Sequence, residues 1–203
     1  MEPLEIVVKN GGLEKTYTLR LLPKAPSETI VMHLTGDEDF SDSTIYQNDA
    51  QAEKVTIDPD NKKFGAGSFA FDVNDSDTLM QVSPTNGMDL ASDDFTVAGW
   101  INVKTLTGQQ ILFWYGGAVA GAPQWWCRTN GAKLQFNVAS DGTETTIATA
   151  DNVLSANEWI HVAVVRQGVH QYIYVNGQKV AEGQSDFVRN VSGTDALAIG
   201  RSR

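Results

Sequence analysis

Apolar and polar residues alternate along most of this chain, and no window of eleven or more residues repeats its apolar positions at i, i+3, i+4 and i+7. That is the two-residue period of strands, whose side chains point to opposite faces in turn. The pattern predicts strands at Leu4–Lys9, Thr16–Leu22, Thr29–Leu34, Glu53–Ile57, Ser68–Asp72, Thr78–Val82, Phe95–Val103 and Ile111–Tyr115. It continues with Gln124–Arg128, Lys133–Ala139, Thr145–Ala150, Trp159–Gln167, His170–Val175, Gln178–Glu182 and Ala196–Ile199. Asn10-Gly11-Gly12, Asn130-Gly131, Asp141-Gly142 and Asn176-Gly177 separate several of these runs, and their residues tolerate the positive φ of tight hairpin turns. About fifteen short strands without a helix make the chain all-β, a sandwich or jelly roll.

Two segments say more about arrangement. In Trp159–Arg166 both alternating sets, Trp159/His161/Ala163/Val165 and Ile160/Val162/Val164, are largely apolar, which predicts a central strand covered on both faces. Residues 1–26 read as a separate arm, a hairpin followed by Pro23-Lys24-Ala25-Pro26, with the main domain occupying residues 27–203. A lone hairpin is marginal in water, so this arm is expected to pack on something larger.

The composition removes several classes of function. Of 203 residues 41% are apolar and 20% charged, so the chain should fold. Its net charge of −10 is concentrated between Thr35 and Phe95, where 14 acidic residues face 3 basic ones. No cluster of Lys and Arg exists to neutralise phosphates, so neither nucleic acid nor an anionic membrane surface is an expected partner. Thr105–Cys127 carries no charge, but its glycines, Pro123 and glutamines break it into strand-length pieces, so no membrane insertion is expected. Met1-Glu2-Pro3-Leu4-Glu5 lacks the basic start of a secretory leader.

Catalytic chemistry finds few candidates. Cys127, the single cysteine, follows Trp125-Trp126 in a predicted strand and reads as a small buried hydrophobe rather than a nucleophile. His33, His161 and His170 are not at metal-ligand spacing, and His161, between apolar neighbours, is expected in the core. Asp37, Asp39, Asp42, Asp72, Asn74, Asp75 and Asp77 supply hard oxygens of the kind calcium takes. However, the helix-loop-helix calcium spacing fails at Asp42 and Asn48, and the cluster reads first as a solvated acidic face. Aromatic residues are the remaining recognition elements. Trp114, Tyr115, Trp125 and Trp126 lie in a glycine-rich stretch, and alternation should turn at least one of each adjacent pair away from the core.

From Ile30 onward a series of short motifs recurs in a telling order. They are Ile30-Val31-Met32-His33-Leu34 with Gly36, Phe40-Ser41-Asp42-Ser43, Lys63-Phe64-Gly65-Ala66-Gly67-Ser68, Phe71-Asp72, Thr78-Leu79, and Asp94-Phe95-Thr96-Val97 with Trp100-Ile101. The later ones are Trp159–Arg166, Tyr172-Ile173-Tyr174-Val175-Asn176-Gly177 and Leu197-Ala198-Ile199-Gly200. In this order and spacing the chain resembles the laminin-G-like, concanavalin A-like jelly-roll domain found in bacteriophage virion proteins and bacterial surface proteins. The resemblance implies an antiparallel jelly roll. It also implies a non-enzymatic structural or adhesion module of a virion, for capsid decoration or a tail appendage, making contacts with other virion chains or with itself. The alternative it implies is a carbohydrate-binding module at an extracellular or cell surface, using a concave sheet face with Trp114, Tyr115 and Trp126 as platforms for host glycans.

The glucanases of this superfamily carry a Glu-x-Asp-x-x-Glu strand, and nothing in the chain matches it. No enzymatic activity and no committed cofactor follow, although a structural calcium is left open by the family. Two departures stand out: Thr35 replaces the usual aspartate before Gly36, and the customary strand after Ile199-Gly200 does not follow before Arg203. The sheet is thus expected to lack a strand beside Ile30–Leu34, a place that the N-terminal hairpin or a neighbouring subunit could fill.

Overall fold

A computed structural model describes residues 4–10, 13–19, 30–72, 77–83, 90, 93–116, 124–140, 143–148, 152–185 and 196–200. The chain divides into two compact units, Met1–Ile30 and Val31–Arg203. In the first, β1 (Leu4–Asn10) and β2 (Leu13–Leu19) pair antiparallel with each other, from Leu4 opposite Leu19 to Asn10 opposite Leu13.

Among its described residues the second unit holds thirteen strands. They are β3 (Gln51–Glu53), β4 (Thr56–Asp58), β5 (Ser68–Ala70), β6 (Leu79–Val82), β7 (Phe95–Asn102), β8 (Gln109–Gly116), β9 (Gln124–Asn130), β10 (Lys133–Ser140), β11 (Thr143–Ala148), β12 (Trp159–Gln167), β13 (His170–Val175), β14 (Gln178–Gln184) and β15 (Ala196–Ile199). A seven-stranded sheet runs β11-β10-β9-β8-β15-β6-β3, a four-stranded sheet runs β14-β13-β12-β7, and β4 pairs with β5 alone; every pairing is antiparallel. No helix occurs among the described residues.

One core takes side chains from both large sheets. Val82, Phe113, Tyr115, Trp125, Cys127, Leu134, Phe136, Val138 and Leu197 from the larger sheet meet Phe95, Ile160, Val162, Val164 and Ile173 from the smaller. This is the architecture of a jelly-roll sandwich, with alternation sending every second side chain inward. The prediction for β12 holds in its central position, between β13 and β7 with Val162 and Val164 fully buried, but not in its cover, since Trp159, His161 and Val165 on the other face are only half-buried. The hairpin turns do too where they are described, with Asn176 at φ 50° and Gly177 at 80°, and Gly131 at 60°.

Two strand expectations are corrected. Ile30–Leu34 forms no ladder, because other groups hold its backbone. His33 N donates to Asp42 Oδ1 at 2.8 Å, Val31 O accepts Asn48 Nδ2 at 2.7 Å, and His33 O accepts Ser43 N at 3.0 Å. No strand pairs with this stretch among the described residues. Glu53–Ile57 is also two strands rather than one. Lys54 adopts a left-handed φ of 53°, which ends β3 in the large sheet and starts β4 in the small pair.

The Lys63–Ser68 motif behaves as its glycines require. A Cβ on Gly67 would fall 2.6 Å from Ile57 Cγ2 and 2.8 Å from the Gly36 carbonyl oxygen, so only glycine lets the three segments close together.

Candidate functional site

The outer face of the seven-stranded sheet carries a row of paired positions that crosses all seven strands. Gln51, Gln81, Ala198, Trp114, Trp126, Asn137 and Thr146 stand opposite one another in sequence along β3, β6, β15, β8, β9, β10 and β11. Trp114 and Trp126 are therefore direct cross-strand neighbours, and they pack on Ala198 with Leu79, Ile111 and Ala139 as a second apolar cluster outside the main core. Polar groups surround them. Trp114 Nε1 donates to Gln124 Oε1 at 3.0 Å, and Arg128 Nε donates to Gln135 Oε1 at 2.9 Å. The Arg128 guanidinium also reaches Glu144 Oε1 at 3.5 Å and lies 6.0 Å from the Trp126 ring centre. In the amide orientation that satisfies all its neighbours, Asn137 accepts Trp126 Nε1–H at 2.9 Å and donates to Thr146 and Glu144. At the β3 end of the face, Gln51, Ala52, Glu53, Leu79 and Gln81 line a recess of about 230 Å³.

The three aromatics singled out in the sequence do not share one surface. Tyr115 points into the core at 0% exposure, its ring 5.9 Å from that of Trp125. Alternation along β8 explains this, since Trp114 takes the outer face and its neighbour must take the inner one. Trp114 and Trp126 do stand on the outer face, but at 4% and 9% exposure they form its floor rather than open stacking platforms. Trp125 is buried against Phe95, Tyr115 and Phe136 and donates Nε1–H to Leu90 O at 2.9 Å.

The acidic loops spend their oxygens on the backbone. Asp42 accepts His33 N and Thr44 N on one oxygen, and Thr44 Oγ1 and Asn48 N on the other, at 2.7–3.0 Å. Burial raises its pKa, and these four donors outweigh burial and hold it below the ordinary value. Asp37 is lowered mainly by Ala66 N, Asp39 by the Ser41 hydroxyl, and Asp58 by Asp60 N and Asn61 N. Among the described residues no group of three or more His, Cys, Asp or Glu side chains is placed to hold a metal ion. With the Asp42 oxygens already saturated, the residues around it do not fit the calcium that the fold family suggests; Asn74 and Asp75 lie outside the described residues. Cys127 is fully buried and burial pushes its thiol up to about 12, the opposite of an activated nucleophile.

His161 is not a core residue. It is half-buried on the outer face of the four-stranded sheet, opposite Trp100 in register and with the two ring centres 5.4 Å apart. Sequence reasoning also took Trp100 only as part of a fold motif, not as a recognition residue. The parity of β7 holds the signal: Phe95, Val97, Gly99 and Ile101 alternate with Thr96, Ala98 and Trp100, and the first set is the more buried.

On the outer face of the large sheet the strand carboxylates are Glu53 on β3 and Glu144 on β11, at its two edges. Six strand spacings put them on the order of 30 Å apart, where paired glycosidase carboxylates need about 5–10 Å. What fills the middle is amide, guanidinium and indole.

Residues 74–203 match the family described as the concanavalin A-like lectin/glucanases superfamily. The chain belongs to this superfamily. Several solved structures resemble it in fold across most of its length. The binding domain of botulinum neurotoxin DC in complex with rat synaptotagmin II superposes with a TM-score of 0.64 at 16% identity, covering 83% of this chain and 43% of that one. The same neurotoxin's binding domain in complex with SialylT gives 0.61 at 17%, covering 79% and 40%. The botulinum neurotoxin serotype D binding domain gives 0.60 at 11%, again covering 79% and 40%. The chain thus spans about two fifths of the length of these structures. No curated protein sequence matches it.

Proposed function

We propose that this chain is a non-catalytic adhesion module that binds surface glycans across the outer face of its seven-stranded sheet. The observation that carries the reading is the composition of that face: amides, Arg128 and two indoles in the middle, and carboxylates only at opposite edges. Amide and guanidinium groups donate and accept hydrogen bonds to hydroxyls, and the apolar floor of Trp114 and Trp126 excludes water beneath them. Solved binding domains of similar fold that carry SialylT or synaptotagmin II in their complexes support a recognition role. The sequence resemblance supports a bacteriophage virion as the setting, with an extracellular or cell surface as the alternative.

A glycan array probed with the labelled chain tests this. Selective binding is expected, weakened at least about tenfold in Arg128→Ala and in Gln135→Ala, with melting temperatures unchanged within a few degrees. A folded chain that binds no glycan would overturn it.

A second reading is a purely structural role through protein contacts with other virion chains or with itself. It is favoured by β7, which has a ladder on one side only among the described residues, and by Ile45, 92% exposed. Sedimentation that shows self-association without glycan binding would support it.

A further inference from the structure

On the other side of the sandwich, the outer face of the four-stranded sheet carries an aromatic corner unlike anything else among the described residues. Trp100 projects from β7 at 39% exposure, and Phe64, from the loop before β5, is 65% exposed. Their ring centres are 5.7 Å apart and their planes 79° to each other, so the two form a floor and a wall. The Lys63 ammonium stands 4.4 Å from the Trp100 ring centre and 5.8 Å from that of Phe64. His161 closes the far side, its ring 5.4 Å from Trp100.

The loop that presents Lys63 and Phe64 is held firmly. Asp37 accepts Ala66 N, Gly65 turns through a φ of 66°, and Lys62 Nζ caps the Pro59 and Ala66 carbonyls at 2.9 and 3.2 Å. Rigid presentation of exposed rings removes much of the ordering cost of binding.

The hydrogen-bonding groups at this corner are unspent. Trp114 and Trp125 each give their indole N–H to an acceptor, whereas the Trp100 indole has none among the described residues. The His161 ring makes no hydrogen bond there, and no carboxylate pairs with Lys63. Lys63 is one of only three basic residues in the acidic stretch from Thr35 to Phe95. The corner therefore offers apolar ring faces together with a cation and N–H donors. Its complement is a small ring with an apolar C–H face, oxygen acceptors and a negative charge.

We infer that this corner is a second binding site, for an acidic saccharide: a carboxylated sugar ring lies on Phe64 against Trp100, with its carboxylate on Lys63. The inference takes from the glycan reading only the class of ligand and places it on a different surface. A protein partner fits less well, because two rings present a few hundred Å² at most and a stable interface buries about 800 Å² per partner. A neutral sugar would leave the ammonium without a counter-charge.

Isothermal titration with trigalacturonate and sialyllactose, against maltotriose and lactose, tests the assignment. The acidic sugars should bind at least about tenfold more tightly than the neutral ones. Lys63→Gln should remove that preference, and Phe64→Ala, at an exposed position that spares the fold, should abolish binding at this site; Trp100→Ala should do the same if it melts as the parent does. Binding lost in Arg128→Ala but intact in Phe64→Ala and Lys63→Gln would overturn this site and leave the glycan reading standing. No preference for acidic sugars, or a self-associated chain dispersed by Phe64→Ala without sugar binding, would also overturn it. Failure to bind any of the four sugars would count against both readings.

Discussion

Asp42 shows how much one side chain can organise. It is 7% exposed and its carboxylate ties together residues 33, 44 and 48, a span the chain would otherwise leave as loose loop. Asp42→Asn keeps the shape but turns one acceptor into a donor facing donors, and should cost roughly 2–3 kcal/mol in denaturant unfolding. The pH dependence has a definite sign. The folded pKa of Asp42 lies below the ordinary 3.8, so its contribution is present above that value and is lost as pH falls through the folded one. Melting temperature should hold from pH 7 to about 5 and drop below about pH 4, with a shallower drop in Asp42→Asn. Cys127 makes a different case. Fully buried with its pKa raised to about 12, it should resist a maleimide at pH 8 until denaturant is added. Labelling of the native chain at the rate of a free thiol would contradict its placement.

Among the elements, strand parity was the legible part. β12 could be read as a central strand because both its faces are largely apolar, and β13 and β14 as a hairpin because the turn between them is Asn176-Gly177. The core position of Ile173 at 0% exposure follows from the same parity, and Ile173→Ala should cost about 2–5 kcal/mol in chemical denaturation, depending on how far the cavity collapses. What parity cannot say is which face looks inward when both are apolar. That is why His161 was expected in the core and why Trp100 was read only as part of a fold motif, not as a recognition residue. Nor does it reveal where side chains capture a backbone before a ladder can, as at Ile30–Leu34, or where one left-handed residue divides a run, as at Lys54. In β8 a register shift between Ile111 and Phe113 lets Leu112 and Phe113 both join the main core while Ile111 and Trp114 join the outer cluster, so the candidate site was readable only as a stretch, not as a face.

At the scale of the whole molecule, the sandwich separates two surfaces with different chemistry. The large sheet shows a broad polar field over a covered indole floor; the small sheet shows one exposed aromatic corner beside Lys63. Membership of the superfamily settles the scaffold, while the use made of each surface depends on the residues placed there. The global charge of −10 does not describe either surface, since the local balance of side chains decides which ligand each can hold.

The stack around Trp125 has an optical consequence. Its indole is dry, enclosed by Phe95, Tyr115 and Phe136, whereas Trp100 meets solvent beside Lys63 and His161. The native emission should therefore resolve into a blue-shifted component that iodide and acrylamide leave untouched and a red-edge component that they quench, the latter reduced in Trp100→Phe to what half-buried Trp159 contributes. Shielding of the quenchable part would report a molecule settling on the small sheet, and a red shift of the other would report loss of the core, so a single cuvette could follow occupancy and unfolding as separate signals.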